Sequence, residues 1–200
     1  MVNVVHNIDC MIGMSEYPDN YFDLAVVDPP YGINRNNMNM GNSIFNKDCK
    51  TWDKNIPDIN YFNLLFKICN NLIIWGGNYF PLPQSQYFII WDKGETMYER
   101  DFAECEYAWV KNGGTRICKI SPNQKDRIHP TQKPVKLYDW IFTKYAQSGM
   151  KILDTHVGSG SSRIAAHKHK LEFIGYELDE EYWNAQEKRF AQYKSQLTLW

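Results

Sequence analysis

The chain has no apolar run approaching the roughly 18 residues that a bilayer span requires. It also has no charged-then-apolar start of the secretory kind, so nothing in it reads as membrane-bound or exported. Its five cysteines, Cys10, Cys49, Cys69, Cys105 and Cys118, are scattered and odd in number. No two stand at metal-ligand spacing, which excludes a zinc knuckle and a disulfide framework and calls for no metal. Thiols left unpaired in this way fit a reducing, cytoplasmic setting. Charge of one sign is missing too. Twenty-two basic residues face 23 acidic ones, for a net charge of −1. Overall charge therefore gives no drive toward polyanions, and any nucleic-acid surface has to be a local patch. There are no repeats and no low-complexity linker, which predicts one domain over residues 1–200.

Aromatics are plentiful, at 15% of 200 residues, as in a packed protein rather than a disordered one. Apolar runs alternate with helical patterns. Strands are expected over Val2–Ile8, Leu24–Val27, Leu72–Trp75, Tyr87–Trp91, Glu104–Val110, Lys151–Asp154 and Phe173–Glu177. Helices are expected over Met11–Tyr17, Ile59–Cys69, Pro134 to Gly149, Arg163–Lys170 and after Asp179, whose side chain caps the last one. This predicts an α/β fold of three layers around a mostly parallel sheet with an antiparallel edge strand.

The run Leu24–Val27 leads straight into Asp28-Pro29-Pro30-Tyr31. An all-apolar run is a strand buried on both faces, and the prolines end it and stiffen the turn. Ligands of open α/β sheets bind at that edge. The turn offers a carboxylate, a carbonyl and an aromatic face. Asp28 and the Pro29 carbonyl suit the two N–H bonds of an exocyclic amine, with Tyr31 stacked on the ring that carries it. An ordinary turn after a core strand explains the four residues about as well. The asparagine-rich stretch Gly32–Asn55 follows directly and reads either as a disordered surface excursion or, favoured by its position, as a lid over the site or a segment that orders on substrate.

A second constellation lies near the C-terminus. Asp154 ends a strand, Gly158-Ser159-Gly160 forms a small-residue turn before a helix, and Glu177 ends the next strand. Such a βαβ unit lets backbone approach a ligand at the helix start, and its second acid can chelate ribose hydroxyls. No Gly-Lys-Ser/Thr follows the glycines, so this is not a P-loop. No second mononucleotide half is evident for a nicotinamide cofactor. S-adenosylmethionine, with one nucleoside and a charged tail, suits a single half-site. Between the constellations, Lys111, Arg116, Lys119, Lys125, Arg127, Lys133 and Lys136 face only Asp126 as an acid. That basic stretch is either a solvated face or a phosphate-contacting surface.

Taken together, the motifs resemble the exocyclic-amino DNA methyltransferases, in the permuted order of that family's beta-type members. Asp28-Pro29-Pro30-Tyr31 is similar to their catalytic motif, Lys151 to Ser161 to their cofactor loop, and His129 to Pro134 (HPTQKP) to the motif preceding it. Trp75 to Phe80 and Ile90 to Lys93 resemble the strands between, as found in compact phage and prophage members. The resemblance implies a Rossmann-like fold using S-adenosylmethionine and releasing S-adenosylhomocysteine, with no metal. It implies that Asp154, Gly158, Ser159, Gly160 and Ser161 line the cofactor and that Glu177 holds its ribose. It further implies that Thr131 and Lys133 meet the methionine end, that Asp9 and Cys10 border the adenine, and that His156 walls the pocket where relatives carry phenylalanine. Asp28, Pro29, Pro30 and Tyr31 would hold a base flipped from the duplex, with Asp28 also bordering the cofactor.

An acid at the first motif position is typical of adenine N6 methylation and points away from cytosine N4. No Pro-Cys dipeptide exists, which separates the chain from the cytosine C5 enzymes. DNA is the expected partner, with Lys111, Arg116, Lys119, Lys125 and Arg127 on its phosphates. Only a basic insert of about 111–128 stands where larger members carry a recognition domain. It has room for a hairpin but not for a groove-reading helix. That implies a short recognised site, a homodimer, or a second specificity subunit. An N4-cytosine DNA methyltransferase, an RNA or protein-amide methyltransferase and a non-catalytic nucleic-acid-binding subunit remain open alternatives.

Overall fold

A computed structural model describes residues 2–33, 53–100, 103–125 and 127–197. The stretch expected to form a lid falls mainly within 34–52, outside the described residues. In chain order the elements are β1 (Asn3–His6), α1 (Cys10–Met14), β2 (Phe22–Val27), α2 (Ile59–Ile68), β3 (Cys69–Trp75), β4 (Tyr87–Asp92), β5 (Cys105–Val110), β6 (Arg116–Lys119), α3 (Val135–Tyr145), β7 (Lys151–Asp154), α4 (Ser161–Lys168), β8 (Glu172–Tyr176) and α5 (Glu180–Leu197).

The strands form one sheet in the order β1-β8-β7-β2-β3-β5-β4-β6. β2 sits at its centre and pairs in parallel with β7 on one side and β3 on the other. Its alternating side chains feed two cores. Leu24 and Val26 pack with Leu137, Ile141 and Phe142 of α3 and Ala165 of α4. Ala25 and Val27 pack with Met14 of α1 and with Tyr61, Phe62 and Leu65 of α2. A strand apolar at every position needs cover on both faces, and the helices supply it. The expected three layers are present.

Three expectations require correction. The antiparallel strand is not at the edge: β5 runs against both β3 and β4 and lies between them. The chain leaves β3, places β4 one position farther out, and returns through β5 into the gap. Residues 112–128 form no hairpin either. Their strand β6 pairs in parallel with β4 and makes the sheet edge. Finally, α3 closes at Ala146, whose N–H bonds the Phe142 carbonyl, before Gly149 is reached. Gly149 (φ +88°) instead turns the chain toward β7.

The seven strands that run parallel to one another, all but β5, place several of the predicted residues along one rim. Asp28 follows β2, Asp154 ends β7, Glu177 follows β8 and Asp9 lies just after β1. Ligand-binding crevices of open α/β sheets lie outside this C-terminal edge.

Candidate active site

The acceptor turn is held from several sides. Asp53, buried and contributed from beyond the undescribed stretch, accepts the backbone N–H of Tyr31 (2.8 Å) and of Gly32 (3.1 Å) on one oxygen. The Tyr31 ring rests against Gly76, where a Cβ would stand 2.3 Å from a ring carbon, and Gly76 itself has φ +69°. Both facts require glycine there. Tyr79 stacks on Tyr31 with centroids 5.0 Å apart and planes 14° from parallel.

The Asp28 carboxylate is engaged at both oxygens. Oδ1 accepts the Tyr31 hydroxyl at 2.6 Å, and Oδ2 meets the Lys133 ammonium at 2.5 Å. The space among Asp28, Pro29, Pro30, Tyr31, Asp53, Thr131 and Lys133 is about 20 Å³, enough for about one water molecule. In the described arrangement the Tyr31 hydroxyl therefore occupies one of the two oxygens expected to accept an amine.

Lys133 faces the same turn. Its Nζ is buried and ion-paired to Asp28 and, at 3.1 Å, to Glu106 of β5. Glu106 in turn pairs with Lys93 at 2.9 Å, just past β4. Burial opposes ionisation of Glu106, but the Lys133 and Lys93 ammonium groups more than offset it and hold its pKa down to about 2. Burial also opposes the charge on Lys133, and Asp28 and Glu106 reverse that and raise its pKa.

Beside this turn opens a cavity of about 800 Å³. Of the residues the resemblance assigns to the cofactor, Asp9, Cys10, Asp28, Thr131, Lys133, His156, Gly158, Ser159, Ser161 and Glu177 line it. Asp154 and Gly160 do not. Asp154 turns inward, accepting the Ser162 hydroxyl (2.5 Å) and the His156 N–H (3.1 Å), and shapes the loop from behind. Gly160 (φ +74°) packs against Gln186 of α5, where a Cβ would come within 3.2 Å. Arg189 of α5 holds the same loop by donating to the Ser159 carbonyl and the Ser161 hydroxyl. Glu177 accepts the N–H of Gly158 (2.8 Å) and of Asp179 (3.0 Å), which ties the end of β8 to the glycine turn.

Burial dominates the titration here. It raises Asp154 to about 7, helped by the neighbouring acids Asp28 and Glu177. It lowers His156 to about 4, leaving a neutral imidazole that meets the Thr155 hydroxyl at 2.9 Å and the Tyr61 ring edge-on. Burial, then the charge of Asp9, raises the Cys10 thiol to about 12, so it stays protonated. His156 and Cys10 are thus pocket walls, with no thiolate and no imidazolium.

Ile8, Tyr138, Leu178, Asp179, Tyr182 and His129 line the cavity without having been predicted. The only available signal was adjacency: Ile8 precedes Asp9, and Leu178 follows Glu177. Both are apolar yet exposed, at 40% and 70%. Gly76, Tyr79 and Lys93 fall in the stretches Trp75 to Phe80 and Ile90 to Lys93 but were given no role there, and no local pattern marks Asp53 or Glu106, which the fold brings in.

The basic stretch is divided. Lys111, at the end of the antiparallel β5, donates to the Cys69 carbonyl at the start of β3 (3.2 Å). Arg116 begins β6 beside Ile89. Both stand at the rim opposite Asp28. Lys119 ends β6 on the site's rim and pairs with Glu95 at 2.8 Å. Lys125 and Arg127 are exposed on the segment that returns from there to Lys133. Gln124 pins that segment to Gln132 (2.8 Å). A four-residue strand crossing the sheet separates the two groups.

Among known proteins, a family model described as DNA methylase matches residues 83–188. The type II methyltransferase M2.MboI of Moraxella bovis is 26% identical over 93% of this chain and 86% of its own length. Of solved structures, the M1.HpyAVI complex with SAM aligns over 94% of this chain and all of its own, with a TM-score of 0.64 at 20% identity. PvuII DNA methyltransferase, titled cytosine-N4-specific, aligns over 96% and 91% with a TM-score of 0.63 at 11% identity. These two likenesses concern the fold. The family match spans more than half of the sequence and includes both the HPTQKP and the glycine-turn motifs, and by it the chain belongs to the exocyclic-amino DNA methyltransferase family.

Proposed function

We propose that this protein methylates the N6 amine of a flipped adenine in DNA, with S-adenosylmethionine as the methyl source. The observation that carries this is the position of Asp28, which lies on the wall shared by the large cavity and the small acceptor space. A donor in the first and an amine in the second would meet at its carboxylate.

The cavity suits the cofactor on its own chemistry. Asp9, Asp28, Glu177 and Asp179 line it, and Asp154 behind it is a buried carboxyl raised first by burial and further by the neighbouring acids Asp28 and Glu177. Such a wall favours a ligand carrying sulfonium and ammonium charge together with ribose hydroxyls. Glu177 keeps lone pairs for those hydroxyls while it binds backbone. Ile8 and Leu178 offer apolar edges for a purine. When bound, S-adenosylmethionine supplies an electrophilic methyl group that needs only a nucleophile in line with it.

The chain's own residues then do the rest. Asp28 Oδ1 accepts an amine N–H in place of the Tyr31 hydroxyl, and the Pro29 carbonyl, with no neighbouring N–H, accepts the other. Together they draw the nitrogen lone pair out of conjugation with the ring and offset the positive charge that develops there. Tyr31 and Tyr79 provide aromatic surface for the base. Lys119, Lys125 and Arg127 would meet phosphates near the site. Lys111 and Arg116 would need DNA reaching the opposite rim or a second subunit. Support for adenine over cytosine comes from the acid at position 28 and the resemblance it carries. Among the described residues no helix is long and apolar enough to cross a membrane.

The test is incubation of the purified chain with S-adenosylmethionine and unmethylated DNA, followed by nucleoside mass spectrometry. N6-methyladenine is expected, and Asp28→Ala should reduce it by at least ~10³-fold. N4-methylcytosine would overturn the choice of base. No methylated nucleoside at all would overturn the assignment of DNA as substrate.

A further inference from the structure

Lys93, Glu106, Lys133 and Asp28 form a row of alternating charge that crosses β4, β5 and β2 on the site's rim. Its walls are indoles. Lys133 Nζ lies 5.3 Å from the centre of buried Trp75, and Lys93 Nζ lies 5.5 Å from that of buried Trp91. Neither Lys93 nor Glu106 lines the large cavity or the acceptor space. Neutralising Asp28 requires Lys133 alone, so the outer pair serves something else.

We propose that Glu106 is a positioning residue that acts on Asp28 through Lys133. The inference rests on Asp28 being the amine acceptor. An ammonium held by a single carboxylate settles wholly on it and weakens it as an acceptor toward other donors. Glu106 competes for that ammonium from the far side, at 3.1 Å against 2.5 Å for Asp28. Lys93 holds the other Glu106 oxygen at 2.9 Å and balances its charge. Lys133 therefore keeps to Asp28 Oδ2, and Oδ1 is left to exchange the Tyr31 hydroxyl for a substrate amine. Between indole walls, where dielectric screening is weak, this division of charge is felt strongly.

A double-mutant cycle in the methylation assay tests it, with cofactor affinity and melting temperature measured alongside. Glu106→Gln should lower kcat by ~10–100-fold, with affinity for S-adenosylmethionine and KM for DNA within about twofold. It should also lower Tm, because Lys93 is left buried without its partner. Lys93→Met should change kcat by less than about threefold, since Glu106 still reaches Lys133. The double variant Lys93→Met/Glu106→Gln should recover the lost Tm while kcat stays low. A double variant that recovers kcat together with Tm would show that Glu106 merely pairs with Lys93, and the proposal would fall. So would a Glu106→Gln enzyme as fast as the wild type. The wild-type arm separates this inference from its premise. A methylating wild type with an unaffected variant overturns Glu106 alone, whereas a silent wild type overturns both.

Discussion

Asp28 and Asp154 stand at the same rim of neighbouring parallel strands, β2 and β7, yet the fold treats them oppositely. Asp28 receives a buried ammonium from Lys133. Asp154, 2% exposed, receives a hydroxyl and a backbone N–H, while the charges acting on it are those of Asp28 and Glu177. One carboxylate is completed within the protein. The other is kept in a deficit that a cationic ligand in the adjoining cavity would fill. On the proposed function, the acceptor side is charge-balanced before anything binds, whereas the cofactor side would gain from binding.

Removing the internal counter-charge is the most damaging way to break this comparison. Lys133→Met leaves Asp28 and Glu106 facing a pocket with no cation between them. A buried pair that loses one member typically costs about 3–5 kcal/mol, and urea unfolding at pH 7 should find a loss of that order. Methyl transfer should fall with it. A loss below about 1 kcal/mol would mean that water or Lys93 takes over the role.

The same contrast explains what could be read from sequence. The cofactor side is local: Asp154, the glycine turn and Glu177 belong to one βαβ unit, so strand ends and a small-residue turn suffice to find it. Even there, spacing alone does not reveal which side of the backbone faces the ligand, and Asp154 and Gly160 turned out to support the loop from behind. The acceptor side draws Asp28, Asp53, Gly76, Glu106 and Lys133 from five separate segments. Its turn was recognisable, because an apolar run ending in Asp-Pro-Pro-Tyr is unusual. Its buried ionic supports were not, because a glutamate at the start of β5 says nothing by itself about which lysine it meets. The position of β5 itself depends on a return into the sheet that no turn motif specifies. The basic stretch failed as a single patch for a related reason: charge counted along the chain ignores that β6 carries it from one rim to the other.

Removing the uncompensated charge should have the opposite sign. The Asp154 pKa is raised in the fold to about 7, from a carboxylate's usual value near 4. Between those values the folded state binds more protons than the unfolded state. Wild-type stability therefore falls as pH rises through that window and levels off above it. Asp154→Asn lacks this penalty. Relative to wild type it should gain about 2–3 kcal/mol between pH 5 and pH 8, measured by urea unfolding at both, while binding S-adenosylmethionine more weakly. A variant less stable than wild type at pH 8 would mean that the bonds from Ser162 and His156 outweigh desolvation.

The smallest effect is expected at His156, where the two sides touch. Its pKa is lowered to about 4 by burial, so in the folded state it accepts a proton only at pH values where the unfolded chain already holds one. It thus contributes a stability that is present near neutrality and is lost as pH falls from about 6.5 toward 4. His156→Phe keeps an aromatic wall against Tyr61 and gives up the contact with the Thr155 hydroxyl, which retains its bond to Tyr61 at 2.6 Å. Near pH 7 the variant should differ from wild type by less than about 1 kcal/mol and methylate within a few-fold of it. At pH 5 it should be the more stable of the two, since the phenylalanine has no proton to take up on unfolding. A much larger loss of rate at neutral pH, with cofactor affinity intact, would instead give the imidazole a direct part in methyl transfer and move part of the acceptor chemistry onto the cofactor side.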